Sequence, residues 1–139
     1  MGSSETSARG TYYTDPSWYD GRYDEYGEVY IRSKRVRKAL GLGVHHLVRF
    51  DLPSDSKRNW VVFEWMGSGL KSYACDSIST NNCIYLGKYY LKDVYRAALE
   101  ASKGKSYSSS YNCNHWVENF AWKLDRTDIT VHWNCSCVL

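Results

Sequence analysis

An amphipathic helix pattern that begins abruptly at residue 112 is the strongest constraint on the fold. The preceding residues, 106–111, are a run of serine and tyrosine with no helical period. Apolar residues then recur at the spacing of a helix with one buried face: Trp116, Val117, Phe120, Ala121 and Leu124. Ser110 or Asn112 is placed to cap this helix. The pattern predicts a helix that starts at Cys113 and packs on a core.

Cys113 falls in the first turn of the predicted helix. A thiol there lies among unpaired backbone N–H groups and at the positive end of the helix dipole, which lowers its pKa and favours the thiolate. The N–H of Cys113 itself is a donor for an oxyanion. These features are typical of a catalytic cysteine, whereas buried packing is the alternative role for a lone cysteine.

A candidate base lies in the segment 44–52, whose apolar and polar residues alternate as in a strand. Counting by twos places His46 on the apolar face with Phe50, and His45 on the charged face. His46 is therefore predicted to point towards the core and the helix packed there, although a structural role is common for such a histidine. The run 60–66 predicts a second strand, antiparallel to the first.

The remaining segments complete an α+β domain, in which a small antiparallel β-sheet packs against helices. They are predicted as a helix over 29–42, a polar loop with a short edge strand over 70–82, a strand over 83–86, a helix over 89–102 and a strand-like piece over 129–133. Residues 1–28 are predicted to form an aromatic-rich peripheral arm, and residues 29–139 a single domain.

The charge pattern suggests one contact surface. A net charge of +3 is too small to imply nucleic acid binding by itself. A basic run nevertheless offers contacts to phosphate or acidic lipid, and a solvated helix face is its alternative reading: Arg32, Lys34, Arg35, Arg37 and Lys38.

Cysteine usage points to a reducing, cytoplasmic setting. The five cysteines are an odd number, so they do not form a full set of disulfide pairs. The first residues are polar and are predicted to contain neither a signal peptide nor a membrane span. Cys135 and Cys137 with His132 lack a fourth ligand at zinc spacing. We therefore predict no metal and no cofactor.

Two segments carry a resemblance to a known family. Residues 112–117, Asn-Cys-Asn-His-Trp-Val, resemble the "NC" motif of the lecithin:retinol acyltransferase-like group in the NlpC/P60 (permuted papain) superfamily, and residues 44–50 resemble its "H-box". The resemblance covers residues 43–124. It implies an NlpC/P60-like fold, Cys113 as nucleophile, His46 as base and thioester intermediates on lipid acyl groups. The residues around the nucleophile would form the oxyanion site and its surroundings: Asn112, Asn114 and His115, the last as packing or a helix cap.

The chain departs from this family at one position. Lipid-modifying members carry a third polar residue, a histidine, on the second strand, and Phe63 stands at the matching place here. Its neighbour Glu64 faces the opposite way, so it joins the catalytic set only after a one-residue register change or a bulge. Without an orienting group for His46, non-catalytic binding of host proteins, RNA or membranes is the alternative function.

Two further relatives bear on the source and the substrate. Certain picornaviruses encode H-box/NC proteins of about this size at the 2A position of their polyprotein. This resemblance favours a viral protein located in the host cytoplasm, and association with a membrane is the alternative location. PPPDE-type thiol isopeptidases share the histidine strand and an Asn-Cys-Asn helix, and residues 64–69 resemble their strand-to-glycine segment. An isopeptidase is therefore the alternative enzyme.

Overall fold

The computed structural model of the protein describes residues 23–38, 41–52, 60–75 and 83–131. It has an α+β architecture, as predicted. Within these residues, five strands and two helices follow one another: β1 (Tyr26–Lys38), β2 (Gly41–Asp51), β3 (Trp60–Met66), β4 (Gly69–Cys75), β5 (Cys83–Tyr90), α1 (Leu91–Ser102) and α2 (Cys113–Lys123).

The strands form one antiparallel sheet in the order β4-β3-β2-β1-β5. The predicted β2–β3 hairpin is confirmed, with Val48 paired to Phe63. β5 pairs with β1 and so forms an edge of the sheet. A register shift beside Val29 interrupts that pairing, and Gly87 opposite adopts φ +125°, a backbone conformation that favours glycine.

The predicted helix over 29–42 is wrong, because most of this segment is β1 and its end belongs to β2. Val29 and Ile31 are buried in the core, whereas Tyr30 between them is partly exposed, which is the two-residue period of a strand. β-Branched residues at these core positions favour a strand as well. β1 also starts at Tyr26, so it takes in the last residues of the predicted arm.

The other elements differ from the predictions mainly in length. The segment 70–82 begins with the full strand β4, and β5 continues four residues beyond the predicted 83–86. Residues 129–131 belong to no strand, and residues 132–139 lie outside the described part, as do residues 1–22 of the arm.

The two faces of the sheet have separate cores. The main core lies between the sheet and both helices, and it includes Val48 and Phe50 of β2 together with Phe120 of α2. A smaller cluster contains Leu47, Val62 and Tyr73, whose side chains point to the other face of the sheet. The prediction that alternate residues of β2 point to an apolar helix-covered face is therefore confirmed.

Candidate functional site

The head of α2 is a capping box, in which the cap is Asn112, one of the two residues that the sequence offered for it. Asn112 has an extended backbone, and its side-chain oxygen accepts from the backbone N–H groups of Asn114 (3.0 Å) and His115 (3.4 Å). In return, His115 Nδ1 accepts from the Asn112 N–H at 3.1 Å. His115 is thus a cap, as predicted. The cap does not use the N–H of Cys113, the predicted oxyanion donor.

The cap yields a stability prediction. An Asn112→Ala variant should lose about 1 kcal/mol of unfolding free energy, because two first-turn N–H groups lose their acceptor. Urea unfolding would measure the loss. Asn112→Ser, which keeps a capping oxygen, should retain most of the stability, and equal losses in both variants would contradict a capping role.

Tyr111 fixes where α2 begins relative to the sheet. Its carbonyl accepts the indole N–H of Trp65 on β3 at 3.0 Å, and the two rings meet edge to face. Its hydroxyl donates to the carbonyl of Ala101 at the end of α1 (2.6 Å) and accepts from Asn119 Nδ2 (2.8 Å). The residue two before Cys113 is therefore tied to both the sheet and α1.

Cys113 is completely buried on the sheet-facing side of α2. At about 100° per residue, it lies in the middle of the buried stripe that also contains Val117 and Phe120. The sequence predicted a thiolate here, but Cys113 is disulfide-bonded in this structure. Because a nucleophile needs a thiolate, chemistry at this sulfur must begin with reduction of the disulfide.

His46 is completely buried on the helix-covered face of β2. Its Nδ1 lies 2.7 Å from the hydroxyl oxygen of Ser33, its cross-strand partner on β1. The expectation that no group orients His46 is therefore wrong. Sequence reasoning missed Ser33 because it placed that residue on a helix. The two-residue period of β1 was the signal that would have found it.

Phe63 does occupy the helix-covered face, as the sequence predicted. It is completely buried, and its ring centroid lies 6.2 Å from that of Tyr95 on α1. It therefore packs in the core, at the position where the resemblance expects a polar residue.

Trp65 links β3 to the head of α2, and His46 lies on the neighbouring strand β2. The β2–β3 pairing ends with Val48 opposite Phe63, so His46 and Trp65 each lie two residues beyond that last pair. Trp65 in turn holds the carbonyl of Tyr111. The predicted nucleophile and base are both completely buried, His46 on the helix-covered face of β2 and Cys113 on the buried side of α2.

Glu64 lies on the opposite face of the sheet from His46. It projects from the other face, where its carboxylate contacts His45 Nε2 at 2.9 Å and accepts the Tyr73 hydroxyl at 2.8 Å. Both side chains of the Glu64–His45 pair are almost completely buried. The prediction of Glu64 as a catalytic residue is corrected accordingly, because strand alternation directs its side chain away from His46, and its pairing with β4 has no register shift that would reverse this.

The remaining predicted residues have different surroundings. The side-chain oxygen of Asn114 is buried with no hydrogen-bond partner among the described residues, so a polar group is expected to meet it. Arg32 is buried on a strand, which corrects the expectation of a solvated helix face. Lys34, Arg35, Arg37 and Lys38 continue β1, and their side chains lie outside the described part of the structure.

Two further findings concern other chemistry. Among the described residues, no three His, Cys, Asp or Glu side chains are grouped to hold a metal ion. His132, Cys135 and Cys137 lie outside those residues. Within the same residues, no helix has the length and apolar character needed to cross a membrane.

Comparisons with models of protein families, with curated proteins and with solved structures found no match.

Proposed function

We propose that the protein is a cysteine-dependent enzyme of the H-box/NC type that acts on lipid acyl groups once Cys113 is reduced. The bond from Trp65 to the Tyr111 carbonyl is the observation that carries this proposal, because it ties the segment before Cys113 to β3, the strand next to the one that bears His46. The resemblance of residues 44–50 and 112–117 to the two family motifs supports the same assignment. A viral origin rests on that resemblance alone.

The reaction would follow nucleophilic acyl transfer. His46 takes the proton from Cys113, and the thiolate attacks the ester carbonyl of a phospholipid. The Cys113 N–H, which the cap does not use, would donate to the developing oxyanion. The lysophospholipid then leaves with the proton from His46. Water or an amine then gives a proton to His46 and attacks the thioester, the acyl group leaves as the free acid or the amide, and the Cys113 thiolate takes the proton back from His46.

A non-catalytic binding protein is the second candidate. Two observations favour it: Cys113 is completely buried, and it is held in a disulfide. Such a protein would act on host proteins, RNA or membranes.

A substrate panel tests the proposal. The reduced protein should release or transfer acyl chains from phospholipid vesicles, and Cys113→Ala should abolish this turnover. Cleavage of ubiquitin-like conjugates alone would overturn the lipid assignment in favour of an isopeptidase. No turnover of either substrate would favour the binding protein.

A further inference from the structure

A serine on β1 occupies a position that core packing alone would give to an apolar residue. Val29, Ile31 and Ser33 follow one another on the helix-covered face of β1, and all three are buried. Burying a hydroxyl costs free energy unless it is hydrogen-bonded. Ser33 meets this cost with one contact, its 2.7 Å bond to Nδ1 of His46.

Two described side chains of β3, those of Phe63 and Trp65, do not supply such a hydroxyl. Phe63 has no polar atom in its side chain, and the indole N–H of Trp65 is directed to the Tyr111 carbonyl. β2 lies between β3 and β1 in the sheet, so β1 is the other neighbour that can reach the ring. Ser33 is directly opposite His46 on that strand.

We infer that Ser33 is the positioning residue of the Cys113–His46 pair, supplied by β1 in place of a polar residue on β3. The inference rests on the proposed function. With Nδ1 directed to Ser33, the ring is held with Nε2 as the atom that exchanges a proton with Cys113. When Nε2 exchanges the proton, Nδ1 keeps its hydrogen in both protonation states of the ring, so the Ser33 hydroxyl oxygen accepts from Nδ1 in both.

A neutral hydroxyl bonded to His46 should have a smaller effect on the reactivity of Cys113 than a charged partner would have. Loss of one neutral hydrogen bond corresponds to about a fivefold change in rate. We therefore expect Ser33→Ala to slow alkylation of reduced Cys113 about fivefold and to change its pH profile. Ser33→Thr keeps the hydroxyl and suits a strand, so it should restore both.

Ser102→Ala is the matched control. Its hydroxyl accepts the indole N–H of Trp116 on α2 at 2.9 Å, so its loss disturbs the same helix without touching His46. In Ser102→Ala, the alkylation rate of reduced Cys113 should stay within about twofold of the wild-type rate. Nitrogen NMR of the His46 ring provides a second readout, because Ser33→Ala should redistribute the protons between Nδ1 and Nε2, and Ser102→Ala should not.

The outcomes separate this inference from the proposed function. If His46→Ala slows alkylation strongly while Ser33→Ala changes neither the rate nor the ring protonation, the positioning role is wrong and the proposed pair stands. If both variants alkylate at the wild-type rate, the proposed pair itself is wrong. If Ser33→Ala and Ser102→Ala change the alkylation rate of Cys113 and the ring protonation of His46 equally, Ser33 has only a structural role.

Discussion

A His46→Ala variant should alkylate reduced Cys113 about 100-fold more slowly than the wild-type protein near neutral pH. This magnitude is at the lower end of what a positioned general base contributes. The structural reason is that His46 is completely buried on the helix-covered face of β2, and Cys113 is completely buried on α2, which packs on that face. The measurement is iodoacetamide labelling after phosphine reduction, with each cysteine followed by peptide mass spectrometry.

The protein contains its own reference thiol and a matched control histidine. Burial raises the pKa of the Cys83 thiol, so Cys83 should label slowly and gain reactivity only in more alkaline solution. His45 is adjacent to His46 but contacts Glu64 on the other face. His45→Ala should therefore leave the Cys113 rate nearly unchanged. Equal losses in the two histidine variants would contradict the proposed pair.

A Glu64→Ala variant should lose about 3 kcal/mol of unfolding free energy, because its removal deprives the buried His45 ring and the buried Tyr73 hydroxyl of this hydrogen-bond partner. The carboxylate of Glu64 is completely buried and has contacts to both His45 and the Tyr73 hydroxyl. Its removal also opens space in the cluster formed by Leu47, Val62 and Tyr73. Urea unfolding would record a lower midpoint with an unchanged slope.

The control for this variant keeps the shape of the side chain. Glu64→Gln retains an amide that can still bond to both neighbours, so it should lose less than half as much stability as Glu64→Ala. Neither variant should slow alkylation of Cys113 while the protein remains folded. If the Glu64→Gln protein stays folded but Cys113 loses reactivity, Glu64 does take part in catalysis.

Much of the fold follows from local patterns that the sequence carries. α2 was predicted to start at Cys113 because the Asn112 cap and the apolar stripe act within one helix, over a few residues. β3 was predicted at its observed bounds for a similar reason, since alternation in a strand is a local signal. β1 was missed because a helical spacing of Val36 and Leu40 competed with the strand period that starts at Val29.

The candidate site was predictable only in part. Periodicity placed His46 on the face that a helix covers and Glu64 on the other, because successive side chains of a strand point to opposite faces. Periodicity does not say which strand lies beside β2. That Ser33 on β1 meets His46, and that Trp65 holds Tyr111, depends on the sheet order and on how α2 packs.

The sequence by itself thus determined the type of most elements, the cap of α2 and the face on which each histidine lies, since these depend on residues close together in the chain. The tertiary structure alone decided which residues surround His46 and Glu64, and that Cys113 is in a disulfide. The physical reason is that these contacts join strands and helices far apart in the chain, and their partners are set by the packing of the whole domain.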